Sequence, residues 1–169
     1  LGAFDVDLDE LAFSASTDGN SSVAIDGNLL TIDSDPDWYG IIEVSVAVTD
    51  QEYTDTAAFT LTVLPVNDDP ILSFIEDQII DEDTSLSLVL AADDIDGDNL
   101  YFSAETSEAA SISISGNELS VSPNQDFYGT LQIDVTVTDT ELSDSQSFLL
   151  TVSSVNDSPV LSFIVDQQI

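Results

Sequence analysis

A chain of 169 residues carries 34 Asp and Glu against no Lys, Arg or His, a formal charge of −34, yet 43% of it is hydrophobic. That apolar share supplies a packed core and separates the chain from acidic disordered tails. Lacking basic side chains, it has no counterion-releasing contact for nucleic acid and no attraction to anionic lipid, and lacking His and Cys it has neither nucleophile–histidine catalysis nor the ligands that zinc and copper prefer.

Side-chain salt bridges are therefore impossible, and every carboxylate must be solvated, hydrogen-bonded, protonated or bound to a cation. Oxygen-only ligands suit hard ions such as calcium, which takes about 6–8 of them. No run of 18 apolar residues predicts a membrane helix, so membrane insertion is not expected.

Taken along the chain, the first notable stretch is Asp5-Val6-Asp7-Leu8-Asp9. Asp26-Gly27-Asn28 predicts a hairpin turn. Asp37 precedes Trp38-Tyr39-Gly40, where the aromatic is a core or corner residue or, alternatively, a glycan platform. Ile42, Val44, Val46 and Val48 then alternate with other residues, the pattern of a strand with one buried face, and the strand ends in Val48-Thr49-Asp50. Val66-Asn67-Asp68-Asp69-Pro70 reads as a joint, because proline interrupts strand pairing. Beyond it come a first strand over 71–75 and Glu82 within Asp81-Glu82-Asp83. A strand carrying Leu86, Leu88 and Leu90 leads to Asp94-Ile95-Asp96-Gly97-Asp98. Further strands are predicted through Leu100-Phe102, Ile112-Ile114 and Leu119-Val121, with a hairpin turn at Ser115-Gly116-Asn117. Asp126 then precedes Phe127-Tyr128-Gly129. The clearest alternation, Leu131, Ile133, Val135 and Val137, ends at Asp139, and Phe148, Leu150 and Val152 mark the last full strand before Val155-Asn156-Asp157-Ser158-Pro159. No helix is expected, and Tyr39 and Tyr128 are candidates for the tyrosine corner of sandwich folds.

These features recur with a period of 89 residues, about half of the aligned positions being identical. Boundaries at the joints divide the chain into 1–66, a module without its opening strands, 67–155, a complete module, and 156–169, a linker and the first strand of a third. About seven short strands per module predict an all-β fold of tandem immunoglobulin-like, cadherin-like seven-stranded β-sandwiches.

The acids fall at fixed places in this repeat. Asp94, Asp96 and Asp98 (Asp5, Asp7 and Asp9 in the first copy) have the i, i+2 spacing that puts side chains of an extended backbone on one side. With Asp139 and the linker pair Asn67-Asp68 they are expected at the module's entry pole, with Asp50 as the first copy's counterpart of Asp139. Glu82 and Asp126 are expected at the opposite pole, near Asn156 and Asp157, with Asp37 as the earlier counterpart of Asp126. An EF-hand over Asp94–Glu105 is rejected, since its sixth position is Asn99 rather than glycine and no helices flank it. Without a ligand, all these acids are solvated loop residues.

In this order and period, Glu82, Asp94-Ile95-Asp96, Val137-Thr138-Asp139 and Val66-Asn67-Asp68-Asp69-Pro70 resemble the cadherin family and the cadherin-like repeats of large bacterial surface adhesins. The resemblance implies Ca²⁺ between successive modules, held by the Glu, the Asp-x-Asp, the late-strand Asp and the Asn-Asp linker. The cadherin Leu-Asp-Arg-Glu motif is not recognisable, and Asp37 and Asp126 stand as its substitutes.

The function expected is a calcium-rigidified, non-enzymatic stalk or adhesin spacer outside the cell or on its surface, with neighbouring repeats as partners. An alternative is a self-assembling extracellular filament joined head to tail by strand complementation, since the ends fall out of phase with the modules; a window on a longer chain explains the same phase. A glycan-binding module using Trp38, Tyr39 or Tyr53 is a third reading. Paired carboxylates also occur in glycosidases, but no cleft is apparent beside any pair here. Asn20-Ser21-Ser22 is a glycosylation sequon in an expected loop.

Overall fold

Alternating β-branched and polar residues produce strands throughout, and no helix occurs among the described residues. The computed structural model describes residues 1–106, 109–163, 165 and 166. Two compact units divide the chain, Leu1–Val66 and Asn67–Ile169. Among the described residues no helix is long and apolar enough to cross a membrane.

The first unit contains β1 (Ala12–Thr17), β2 (Ser21–Asp26), β3 (Leu29–Ser34), β4 (Gly40–Thr49) and β5 (Thr54–Val63). β1, β4 and β5 form one antiparallel sheet, and β2 and β3 form a hairpin. Asp26 pairs with Leu29 across a two-residue turn, which Gly27 opens at φ 61°. A positive φ at the first central position is the conformation glycine adopts without steric cost.

The second unit comprises β6 (Ile71–Leu72), β7 (Gln78–Asp81), β8 (Leu86–Val89), β9 (Ala92–Asp93), β10 (Tyr101–Thr106), β11 (Ala110–Ser115), β12 (Glu118–Pro123), β13 (Gly129–Thr138) and β14 (Ser143–Ser153). One sheet has the order β10-β13-β14-β7, a second β11-β12-β8, and β6 pairs with β9. Inward-facing Leu119 and Val121 of the second sheet meet Ile133, Val135, Val137, Phe148 and Leu150 of the first in one buried cluster. This is a β-sandwich.

The opening segment is shorter as a strand than its sequence implied. Only Ile71 and Leu72 pair with β9, opposite Asp93 and Ala92. Side chains then hold the segment: Leu72 N–H donates to Asp144 Oδ2 at 2.9 Å, and Gln146 Nε2 donates to the Leu72 carbonyl at 2.6 Å. Ser73 N–H reaches the Ala91 carbonyl at 2.9 Å. Leu72 and Ile75 are thereby buried while Phe74 faces outward. β7 follows in parallel with β14, Gln78 opposite Leu150.

Residues 1–66 correspond to 90–155, so nothing in the first unit corresponds to β6, β7 or β8. The consequence shows in packing. Phe148 is 2% exposed, whereas its counterpart Phe59 is 46% exposed. Ile42 and Val44 are the fully buried hydrophobics of the first unit among the described residues.

The aromatic-Tyr-Gly motif is a local packing device. The ring of Trp38 lies against Gly40, where an added Cβ would stand 2.9 Å from Cζ2, and Phe127 lies over Gly129 in the same way at 3.5 Å. Tyr39 and Tyr128 are exposed, so they do not form tyrosine corners. Alternation along the chain puts them on the outer side when the aromatic before them turns inward. Residues 154–163 beyond β14 hold no strand. Ile164 and residues 167–169 of the expected third module lie outside the described residues.

Candidate metal sites at the poles of the second unit

At the entry pole the organising residue is Asp94. Its Oδ1 accepts the backbone N–H of Asp96 at 2.9 Å and of Asp98 at 3.2 Å. Gly97, at φ 76°, donates to the Asp94 carbonyl at 3.3 Å and closes the turn. Convergence therefore comes from a tight turn wrapped around one carboxylate, not from the extended backbone that the spacing implied. Carboxylate oxygens of Asp94, Asp96 and Asp98 lie within 4.8 Å of one another. Like charges near this range repel by about 1 kcal/mol per pair in bulk water and more in a less polar setting.

The linker is tied to the same pole. Asp68 N–H donates to Asp96 Oδ2 at 2.8 Å, and Asn67 Nδ2 donates to Asp139 Oδ2 at 2.7 Å. Asp139 follows β13 directly, and its Oδ1 accepts the N–H groups of Glu141 at 2.6 Å and Leu142 at 2.7 Å. The Leu142 N–H first, then the Asn67 amide and the Glu141 N–H, hold its carboxyl below the usual carboxylate range. These bonds favour the charged form, so Asp139 is a buried carboxylate that stays ionised.

One oxygen in this network is left over. Asp94 Oδ2 is buried and has no hydrogen-bond partner. A buried carboxylate oxygen without a partner is costly unless water or a cation satisfies it. The donor set fits a hard divalent cation: oxygens only, several of them charged, at a turn. Asp94, Asp96 and Asp98 would hold it.

The opposite pole gathers Asp83, Asp126 and Asp157, whose carboxylate oxygens also lie within 4.8 Å of one another. Asp83 and Asp126 both adopt left-handed backbone, at φ 61° and 58°, a conformation that Asp tolerates better than most residues. Asp126 N–H donates to Asp83 Oδ1 at 3.1 Å. Beside them Glu82 is buried; its N–H donates to the Ser153 carbonyl at 2.8 Å, and its Oε1 accepts the Val155 N–H. Glu82 thus anchors the exit of β14, and Asn156 Nδ2 donates to the Asp157 carbonyl at 3.1 Å. Asp83 is the residue that sequence reasoning missed. Its neighbour Glu82 was singled out from Asp81-Glu82-Asp83, and nothing local distinguishes the three.

The first unit repeats the local parts. Asp5 Oδ1 accepts Asp7 N–H at 2.7 Å and Asp9 N–H at 3.2 Å. Asp50 Oδ1 accepts Tyr53 N–H at 2.6 Å and Glu52 N–H at 2.8 Å, and these bonds in that order lower its pKa. Asp37 is at φ 56°, like Asp126. The three-carboxylate groupings occur in the second unit alone among the described residues.

The family model described as "Bacterial Ig domain" matches residues 67–153, just over half of the chain. No curated protein matches the sequence. Among solved structures, human protocadherin-24 EC1-2 is 18% identical with a TM-score of 0.56, covering 94% of this chain and 87% of that one. Drosophila N-cadherin EC1-3 is 13% identical with a TM-score of 0.45, covering 89% and 57%. An endo-fucoidan hydrolase of glycoside hydrolase family 107 is 15% identical with a TM-score of 0.41, and the chain covers 24% of its length. The likeness to protocadherin-24 is one of fold.

Proposed function

The chain belongs to the bacterial Ig domain family, and from that premise we propose that it is a non-catalytic structural or adhesion module of an extracellular tandem-repeat protein, rigidified by calcium. The observation that carries the reading is the buried, partnerless Asp94 Oδ2 within a three-carboxylate group next to the linker. An ion held by Asp94, Asp96 and Asp98 neutralises their repulsion. Because Asp68 N–H is bonded to Asp96, the ion also pins the linker to the body of the module. A fixed linker restricts the direction in which a neighbouring module leaves, and that restriction is what a stalk or spacer requires. The Asp83, Asp126 and Asp157 group gives the exit pole the same chemistry, with Glu82 holding the outgoing chain.

Thermal unfolding with calcium and with chelator tests this. A site at 100 times its dissociation constant adds about 2.7 kcal/mol. At about 4–8 °C per kcal/mol for a domain of this size, the midpoint of the second unit rises by about 10 °C or more. Asp94→Asn keeps an oxygen acceptor for the two backbone N–H groups but removes the charge, so its apo midpoint stays close to that of the parent while calcium affinity falls at least about tenfold. Identical melts in calcium and in chelator would sink the proposal.

A further inference from the structure

In the second unit, β11 is an edge strand. It pairs with β12 on one side, and among the described residues no strand pairs with the other. Ser115 and Glu118 flank the two-residue turn Gly116-Asn117, so they form a hydrogen-bonded pair. The alternation of an antiparallel ladder gives Ser113–Ser120 and Ser111–Ser122 the same status. The backbone N–H and C=O groups of Ile112 and Ile114 therefore point away from β12, to the open side. Their side chains turn inward but are only half-buried, whereas Leu119 and Val121, opposite them on β12, are fully buried. An open edge of this kind is a template for another strand.

The other edges of the second unit are guarded by carboxylates. β7 ends in Asp81, β10 carries Glu105, and the groove beside β8 is shared with Glu76. β11 holds neither acid nor proline, and residues 109–117 contain no Asp or Glu in a chain that is 20% charged. Glu118 on β12 accepts the Ser87 hydroxyl at 2.8 Å, which draws its carboxylate toward β8 and away from the open edge.

The strand's own sequence identifies what fits it. Ser111-Ile112-Ser113-Ile114-Ser115 reads the same in both directions. An antiparallel copy related by a twofold axis at Ser113 therefore sets Ile112 opposite Ile114 and serine opposite serine throughout. That register agrees with the direction of the open backbone groups: Ile112 and Ile114 form hydrogen-bonded pairs, and Ser113 meets its own copy at a non-hydrogen-bonded position on the outer face. Hydroxyls suit such a match because each both donates and accepts. Ser85 and Ser122 already join Oγ to Oγ at 2.8 Å in this way. The first unit provides a contrast. Its β2 has Ser22-Val23-Ala24-Ile25-Asp26 at the equivalent positions, and the same pairing there sets Ser22 opposite Asp26 and brings two carboxylates to the contact.

We propose that β11 of one copy pairs antiparallel with β11 of a second copy, joining two three-stranded sheets into one across a twofold axis. The contact is isologous, so it closes at two chains. It uses no residue of the acidic poles and does not rest on calcium binding.

Light scattering on the 169-residue chain in chelator measures the association. The mass is expected to rise with concentration from 18.0 kDa to twice that value. Ser113→Asp sets two carboxylates against each other at the axis and is expected to need at least about tenfold more protein to associate, whereas Ser113→Thr associates as the parent does. Ser113 is exposed on the outer face, so both variants keep the core. Cysteines, of which the chain has none, test the register. Facing Cα atoms at such a position stand about 4.5 Å apart, within disulfide range. Under mild oxidation Ser113→Cys is expected to give a linked dimer by itself, and Ser111→Cys only when mixed with Ser115→Cys. A mass fixed at 18.0 kDa over the whole concentration range, association unchanged by Ser113→Asp, or Ser111→Cys linking to itself as fast as Ser113→Cys would each overturn the assignment.

Discussion

Asp94 combines two roles in one side chain. Oδ1 builds its loop by accepting two backbone N–H groups, and Oδ2 is buried with no partner. The first role is set within five residues of sequence, which is why Asp5 reproduces it in the other unit. Asp134 is a contrasting case, at mid-strand in β13 and away from either acidic group. Ser147 Oγ at 2.6 Å, then Gln132 Nε2 at 2.7 Å, donate to its Oδ1 and lower its pKa. A depressed folded-state pKa adds stability that is complete above the unfolded value of about 3.9 and is lost as pH falls through the folded value. Asp134→Asn is therefore expected to lower stability slightly at pH 7 and to match the parent once pH falls below the folded value. Urea unfolding across pH 2–7 in chelator checks the sign.

At the scale of elements, the repeat supplies internal controls. Phe148 of β14 and Phe59 of β5 hold equivalent places, one buried and one half-exposed. Phe148→Ala is expected to cost about 3–5 kcal/mol in denaturant unfolding of the second unit, and Phe59→Ala clearly less in the first. The turn before each long strand gives a second pair. Gly40 sits at φ 146° under Trp38, and a methyl group there meets the ring at 2.9 Å. Gly40→Ala is expected to destabilise the first unit by about 1–3 kcal/mol and to shift the fluorescence of Trp38, the chain's single tryptophan. Gly129→Ala meets Phe127 at 3.5 Å and pays mainly for its backbone conformation.

For the whole molecule the dominating fact is charge. No side-chain ion pair exists to be screened, so monovalent salt acts on repulsion alone, and the Debye length falls from about 10 Å at 0.1 M to about 3 Å at 1 M. In chelator, raising the salt over this range is expected to raise both units' melting midpoints, and saturating calcium is expected to blunt the effect at the second unit. Calorimetry at several salt concentrations, with and without calcium, provides the measurement.

The sequence by itself determined the period, the all-β class and the hairpins at Gly27 and Gly116, whereas the acid-centred turns at Asp5 and Asp94, though equally local, read as extended backbone from their spacing. The features it determined depend on side-chain alternation or on hydrogen bonds spanning a few residues, and such interactions are written in contiguous sequence. The tertiary structure alone decided which acids distant in sequence meet. Asp83 reaches Asp126 across 43 residues because strand pairing brings two left-handed turns together, and at the other pole Asp94 Oδ2 is buried without a partner. It also decided that residues 71–75 are held largely by Asp144 and Gln146 rather than by a long strand. Sequence periodicity could not anticipate this, because the bonds are made between side chains and backbone more than 70 residues apart.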